Sequence, residues 1–230
     1  MYFSKFVSIV TLLMVAMGVA SAQQLKDGSV IVSSDGEEVE NYELASQFSR
    51  FEVGESVMLV SGLSKVHEFG MRVGILRAWK LTDTKAPVYL HLGAELNYNS
   101  TSDTYKFDEE DENTEEHMMN FAFPVNLALN IPLNGRCCME LLSGLNLRFN
   151  VLGTTKVGSN KVNYLSDGYA NRFSPGANFG FGFNIHRFSV LYRYTMDFND
   201  YFKDDVTDTD GNSFDSRFRF HALSFGITLK

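Results

Sequence analysis

The 230 residues carry a formal charge of −8, are 44% hydrophobic and 13% aromatic, and include 20 Phe and 10 Tyr. The acidic balance excludes a nucleic-acid surface, which needs clustered Lys and Arg against phosphate. The length suits one core-forming domain or one membrane barrel, and aromatic enrichment favours strands over helices.

In chain order, the first segment reads as a leader. Lys5 supplies a positive start, Phe6 to Gly18 an apolar stretch, and Ala20-Ser21-Ala22 an A-x-A cleavage site. Residues 1–22 are therefore predicted to be a cleaved signal peptide. Gln23, not Cys, stands directly after the site, which argues against a lipid anchor. Residues 23–50 contain a short alternating fragment (Val30, Val32) and are predicted to be an N-terminal periplasmic segment, or an extra hairpin that raises the strand count to ten.

From residue 51 to 230 the pattern has period two. A first strand is placed at Phe51 to Val60, where the alternation is weakest. Phe69, Met71, Val73, Ile75, Trp79 and Leu81 then alternate with Gly70, Arg72, Gly74, Ala78 and Lys80, with Arg77 the exception on the apolar face. From Val88 to Tyr98, Leu90, Leu92, Ala94 and Leu96 alternate with Tyr89, His91, Gly93, Glu95 and Asn97. Met119 to Leu133 has eight apolar odd positions separated by Asn120, Ala122, Pro124, Asn126, Ala128, Asn130 and Pro132. The same alternation recurs over Met139–Val151, Ala177–Ile185, Phe188–Phe198 and Arg217–Leu229. A helix would smear each set around its circumference, whereas a strand puts each set on its own face.

Ordinary strands run to about 5–6 residues, while membrane-crossing ones need ~9–11. These are long, and their polar face carries Asn, Gly, Arg and Glu at mid-strand, as a barrel interior does. The expected fold is all-β, an antiparallel up-and-down transmembrane barrel of eight strands. The links agree. Ser61–His67, Ser100–Glu116, Gly153–Phe173 and Asp200–Ser216 are mostly long and polar, while Thr82–Ala86, Asn134–Arg136 and His186–Arg187 are short. Long outer loops alternating with short inner turns mark bacterial barrels. Face parity demands an odd turn between Leu133 and Cys137, with Gly135 suited to its left-handed position, and an even one between Ile185 and Phe188. His-Arg is poor chemistry for the latter, because primed turns want positive φ. Pro124, inside a strand with no free edge, predicts a bulge or local break.

With leader, strands and loops in place, the chain resembles the small outer-membrane barrels of the OmpA/OmpX type, and within them the porin-family barrels of Bacteroidota. The resemblance implies residence in a bacterial outer membrane, contact with its lipid and lipopolysaccharide, and folding by the barrel assembly machinery. Ser224, Gly226, Ile227 and Leu229 partly match that group's C-terminal assembly signal, with Lys230 in place of the usual terminal aromatic.

Three places are able to carry chemistry. The outer link Ser100–Glu116 sets Asp103, Asp108, Glu109, Glu110, Asp111, Glu112, Glu115 and Glu116 against Lys106, nearly the whole net charge. It reads as a solvated acidic loop or a divalent-cation bridge to anionic lipid. Asp208, Asp210 and Asn212 have the spacing of part of a calcium loop, but Val206 stands where its first acid belongs. Arg72, Glu95, Glu140, Arg148, Arg193 and Asp197 all face inward, and an eight-stranded barrel is filled by its own side chains. They are predicted to form a salt-bridged plug, with Arg72 directly opposite Glu95 and Arg148 level with Asp197. The adjacent Cys137 and Cys138 fit neither a disulfide framework nor a zinc site.

There is no nucleophile elbow, H-E-x-x-H or phosphate loop, and no cofactor or catalytic residue is expected. The predicted function is a non-enzymatic barrel whose outer loops meet the surroundings, in a structural, adhesion or other surface role. The alternative is a narrow diffusion channel. A rim-located lipid-modifying enzyme, using His67 or His117 with loop acids, is less favoured.

Overall fold

The computed structural model describes residues 30–32, 38–40, 45–60, 67–107, 110–134, 137–203 and 216–229. The leader lies outside them, as do Asp108, Glu109, Gly135, Arg136, Asp208, Asp210, Asn212 and Lys230. The chain divides into two units, residues 1–42 and 43–230. In the first, β1 (Val30–Val32) and β2 (Glu38–Glu40) form their own antiparallel pair with Ile31 opposite Val39.

The second unit is a closed ring. Its strands are β3 (Gln47–Val60), β4 (His67–Lys80), β5 (Val88–Phe107), β6 (Glu110–Asn134), β7 (Cys137–Val157), β9 (Phe173–Ile185), β10 (Phe188–Asp197) and β11 (Phe218–Leu229). Each pairs antiparallel with the next, and β11 closes on β3 through Phe218↔Val60 to Leu229↔Ser49. A short β8 (Asn160–Asn163) folds back on the outer end of β7. The described residues thus give an eight-strand barrel, and the β1–β2 hairpin forms a separate sheet instead of adding a ninth and tenth strand. Closure leaves no edge within the ring, the condition a sheet must meet to cross lipid. β3 begins at Gln47, four residues before the expected barrel start at Phe51.

The ring is staggered as closure demands. The row of cross-strand neighbours from Leu141 runs through Phe181, Tyr192, Leu223, Glu55, Met71, Tyr98 and Met119, and returns to β7 at Leu152. Leu141 lies near the inner end of β7 and Leu152 near its outer end, so the row climbs the wall.

The apolar set of every strand faces outward: Ile75, Leu127, Leu145, Phe179, Phe181 and Ile227 are all exposed. The polar set is buried inside, with Asn97, Asn120, Asn126, Asn146, Asn178 and Asn184 among it. An inverted pattern of this kind is stable only where the outer solvent is hydrocarbon. Two apolar layers close the interior. Phe48, Leu76, Ala78, Tyr89, Ala128, Leu142 and Leu191 cluster toward the inner turns. Met58, Met118, Phe218 and Phe220 meet Leu165, Ala170 and Tyr201 from the outer connections, which roof that end.

The irregularities fall where backbone chemistry requires them. At Pro124 the β5–β6 ladder is interrupted between Leu92↔Val125 and Glu95↔Ala122 with no change of register, a local break and not a bulge. Gly93 faces the pyrrolidine ring, and a Cβ there would stand 2.9 Å from Pro124 Cγ. The expected Asn134–Arg136 turn is tighter than three residues: Asn134 pairs with Cys137, and a register shift lies between Pro132 and Asn134. The His186-Arg187 turn forms despite its composition, with His186 at φ 54° between the paired Ile185 and Phe188. A β-carbon in that region costs about 1–2 kcal/mol. His186→Gly should therefore stabilise the barrel by about 1 kcal/mol, the greater freedom of the unfolded glycine offsetting part of the gain. A denaturant midpoint that stays put or falls would mean that His186 contributes more than a turn.

Candidate functional site: the charged lumen and the acidic hairpin

The interior is organised by arginine. Arg50 reaches inward from β3 and binds both oxygens of Glu140 on β7, Nη1 to Oε2 at 2.8 Å and Nη2 to Oε1 at 2.9 Å. Its Nε donates to Glu52 Oε1 at 2.9 Å. Such a bidentate fork is the geometry guanidinium offers a carboxylate. Asn184 Nδ2 donates to Glu140 Oε2 at 2.9 Å, and Asn184 Oδ1 accepts from Arg50 at 3.2 Å. The side chain of Arg50 has room because β11 carries Gly226 there: a Cβ would stand 2.9 Å from Arg50 Cδ and 2.2 Å from Ser189 Oγ.

The chain of charges continues through Glu52. Arg72 and Arg193 each place Nη2 3.3 Å from Glu52 Oε2, and both also bind Glu95, Arg72 at 2.6 Å. Arg148 and Asp197 form a separate pair across β9, and the Arg148 guanidinium lies 5.0 and 4.5 Å from the ring centres of Phe218 and Phe220. Four guanidinium groups thus meet four carboxylates. Balance of this kind is required, because an unpaired charge in a closed interior is expensive. Asparagines extend the network by amide contacts, Asn97 to Asn120 and Asn178 to Asn126.

Of the predicted lumen residues, Arg72, Glu95, Arg193 and Glu140 join one network through Arg50 and Glu52, while Arg148 and Asp197 pair apart from it, and one register is corrected. Arg72 faces Asn97 directly, and Gly74 faces Glu95. The ion pair is made diagonally, because the inner turn is centred one residue later than its composition implies, and glycine opposite Glu95 leaves space for the guanidinium to lean across. Arg50 and Glu52 lay outside the expected network. Their signal was present in the alternation Arg50, Phe51, Glu52, Val53, but Glu55 on the apolar face blurred it.

The lumen is tightly filled. Arg50, Glu140 and Arg148 are each 1% exposed. His91 is buried among them, its ring 5.9 Å from that of Phe48 and its Nδ1 3.9 Å from Glu140 Oε1.

The acidic segment is not a loop. β5 and β6 remain paired past the barrel, from Thr101↔Glu116 to Phe107↔Glu110, so Glu110, Asp111 and Glu112 are strand residues opposite Phe107, Lys106 and Tyr105. Only Asp108 and Glu109 fall between the strands. Thr101, Thr104, Tyr105 and Phe107 are good strand formers, and the segment carries no hydrophobic alternation in its sequence. β4 pairs with β5 only as far as Phe69↔Ser100. On the rim, His117 Nδ1 lies 2.9 Å from the Tyr98 hydroxyl, and Thr155 Oγ1 donates to Glu116 at 3.1 Å. The side chain of His67 and the metal candidates Asp208, Asp210 and Asn212 lie outside the description.

No family model and no curated protein matches this sequence. Solved structures align with most of this chain at low identity. Neisserial surface protein A aligns over 80% of this chain and 98% of its own at 9% identity and a TM-score of 0.46. The attachment invasion locus protein Ail of Yersinia pestis aligns over 80% and 100% at 12% identity and 0.40. The outer membrane enzyme PagL aligns over 76% and 98% at 12% identity and 0.43.

Proposed function

We propose that the chain is an exported, non-enzymatic barrel of a bacterial outer membrane, of the small porin-family type, whose projecting β5–β6 hairpin docks an external partner. One observation carries the reading: β5 runs on from Thr101 to Phe107 with its far edge covered by no described strand. Unpaired N–H and C=O groups on an exposed edge are a template for an added strand. The acids along the partner strand β6 select for a basic one, and such attraction fades with salt. The diffusion-channel reading is weakened by the filled interior and its two apolar layers.

The test uses the purified barrel in lipid nanodiscs against immobilised extended peptides that differ only in charge. Lys-rich peptides should bind, and more weakly as salt rises. Replacing Thr104–Asn113 by Asn-Gly should abolish binding while heat-modifiable gel migration persists. Equal binding by the shortened barrel would reject the hairpin as the docking element. Recovery of the whole protein as a detergent-free soluble monomer would reject the membrane reading itself.

A further inference from the structure

The outer wall is apolar along most of its length, and among the described residues of β3 the carboxylate Glu55 interrupts it. Glu55 lies on the outward face of β3 between Val53 and Val57, and its cross-strand neighbours are Leu223 and Met71. It is exposed, and among the described residues nothing donates to it or pairs with it. Ionisable groups facing hydrocarbon are costly and are kept where something answers them.

On the adjacent strand β11, His221 faces outward opposite Val57, one diagonal step from Glu55. Its Nδ1 lies 2.7 Å from the Tyr192 hydroxyl, and the Tyr194 ring packs 5.0 Å away. In the tautomer in which Tyr192 donates to Nδ1, the ring proton stands on Nε2. The two groups are also level. The cross-strand row climbs from Leu223 to Glu55, and His221 lies two residues up β11 from Leu223. Both therefore sit at similar height above Leu223 on neighbouring strands.

We propose that the β3–β11–β10 face is a docking surface for a second copy of this chain, with Glu55 of each protomer accepting from the partner's His221. Two copies in one membrane share its normal, so a two-fold axis along that normal preserves height, and a group meets only what stands level with it. Glu55 and His221 satisfy that condition reciprocally, as a self-complementary interface requires. Arg219, nearer the outer rim, does not. Val53, Val57, Met71, Leu223 and Phe225 border the pair. Apolar contact is not itself a driving force in lipid, so the polar pair sets the docking geometry.

Oligomeric state in bilayers, read by single-molecule photobleaching across protein-to-lipid ratios, tests this. The unaltered chain should dimerise reversibly, and Glu55→Leu should weaken dimerisation at least tenfold. That variant removes a charge from the lipid face, so its heat-modifiable fold should persist and its denaturant midpoint should not fall. Glu55→His and His221→Glu should each abolish the dimer, and the double exchange should restore it. A chain monomeric at every ratio overturns the proposal, as does a dimer indifferent to Glu55→Leu or an exchange that restores nothing. An amine-bearing phospholipid retained by a monomer in native mass spectrometry, and lost in Glu55→Leu, assigns Glu55 to lipid and also overturns it.

Discussion

Glu140→Leu should destabilise the barrel by about 3–5 kcal/mol, the range found when one partner of a buried ion pair is removed. The substitution strips both terminal nitrogens of Arg50 of their carboxylate and leaves Asn184 Nδ2 without its acceptor at 2.9 Å. Arg50 keeps Glu52, but Glu52 is already shared with Arg72 and Arg193, so the interior is left with one cation in excess. Arg50→Met should cost a similar amount for the opposite reason, an orphaned carboxylate. The double change should cost well below the sum, since each single change already forfeits the same contact. Denaturant midpoints for the three variants, measured in one lipid system, give the coupling directly. Additive losses would show that the fork between Arg50 and Glu140 does not hold the barrel. The same samples in planar bilayers separate a plug from a pore: steady conductance by the unaltered chain would contradict the filled lumen.

The alternation was enough to assign faces. Leu127 outward and Asn126 inward follow from period two alone, because a strand has two faces and lipid tolerates one kind of side chain. Pairing partners were harder. Whether Arg72 meets Glu95 or Asn97 directly depends on the centre of one inner turn, and turn composition does not fix that centre to a residue. Arg50 and Glu52 escape the sequence reading for a different reason. Glu55 sits among the apolar set of β3 and weakens the alternation there, and the expected strand begins only at Phe51. The irregularity that hid Arg50 and Glu52 is the group on which the proposed self-docking face depends. In sequence the hairpin reads as a loop because period two reflects unequal environments on the two faces. Beyond the barrel rim the β5–β6 pairing continues from Thr101↔Glu116 to Phe107↔Glu110 without that alternation in its residues.

Leu127→Arg should destabilise the barrel by about 2–4 kcal/mol, the cost of a basic side chain at mid-membrane on the lipid face. Leu127 points outward with 54% of its surface exposed, between Leu90 on β5 and Ser143 on β7. None of these neighbours answers a guanidinium. Its chain neighbour Asn126 is buried and accepts from Asn178 Nδ2 at 3.2 Å. Asn126→Arg therefore fails for other reasons: it inserts a fifth cation into a balanced and filled interior, and it breaks an amide contact. Membrane thickness separates the two. In thinner bilayers the Leu127→Arg side chain reaches the interface more easily, and its penalty should shrink. The Asn126→Arg penalty belongs to the interior and should not move. Equal responses of the two variants to lipid thickness would refute the assignment of these adjacent residues to opposite faces, and with it the inverted pattern on which the membrane reading stands.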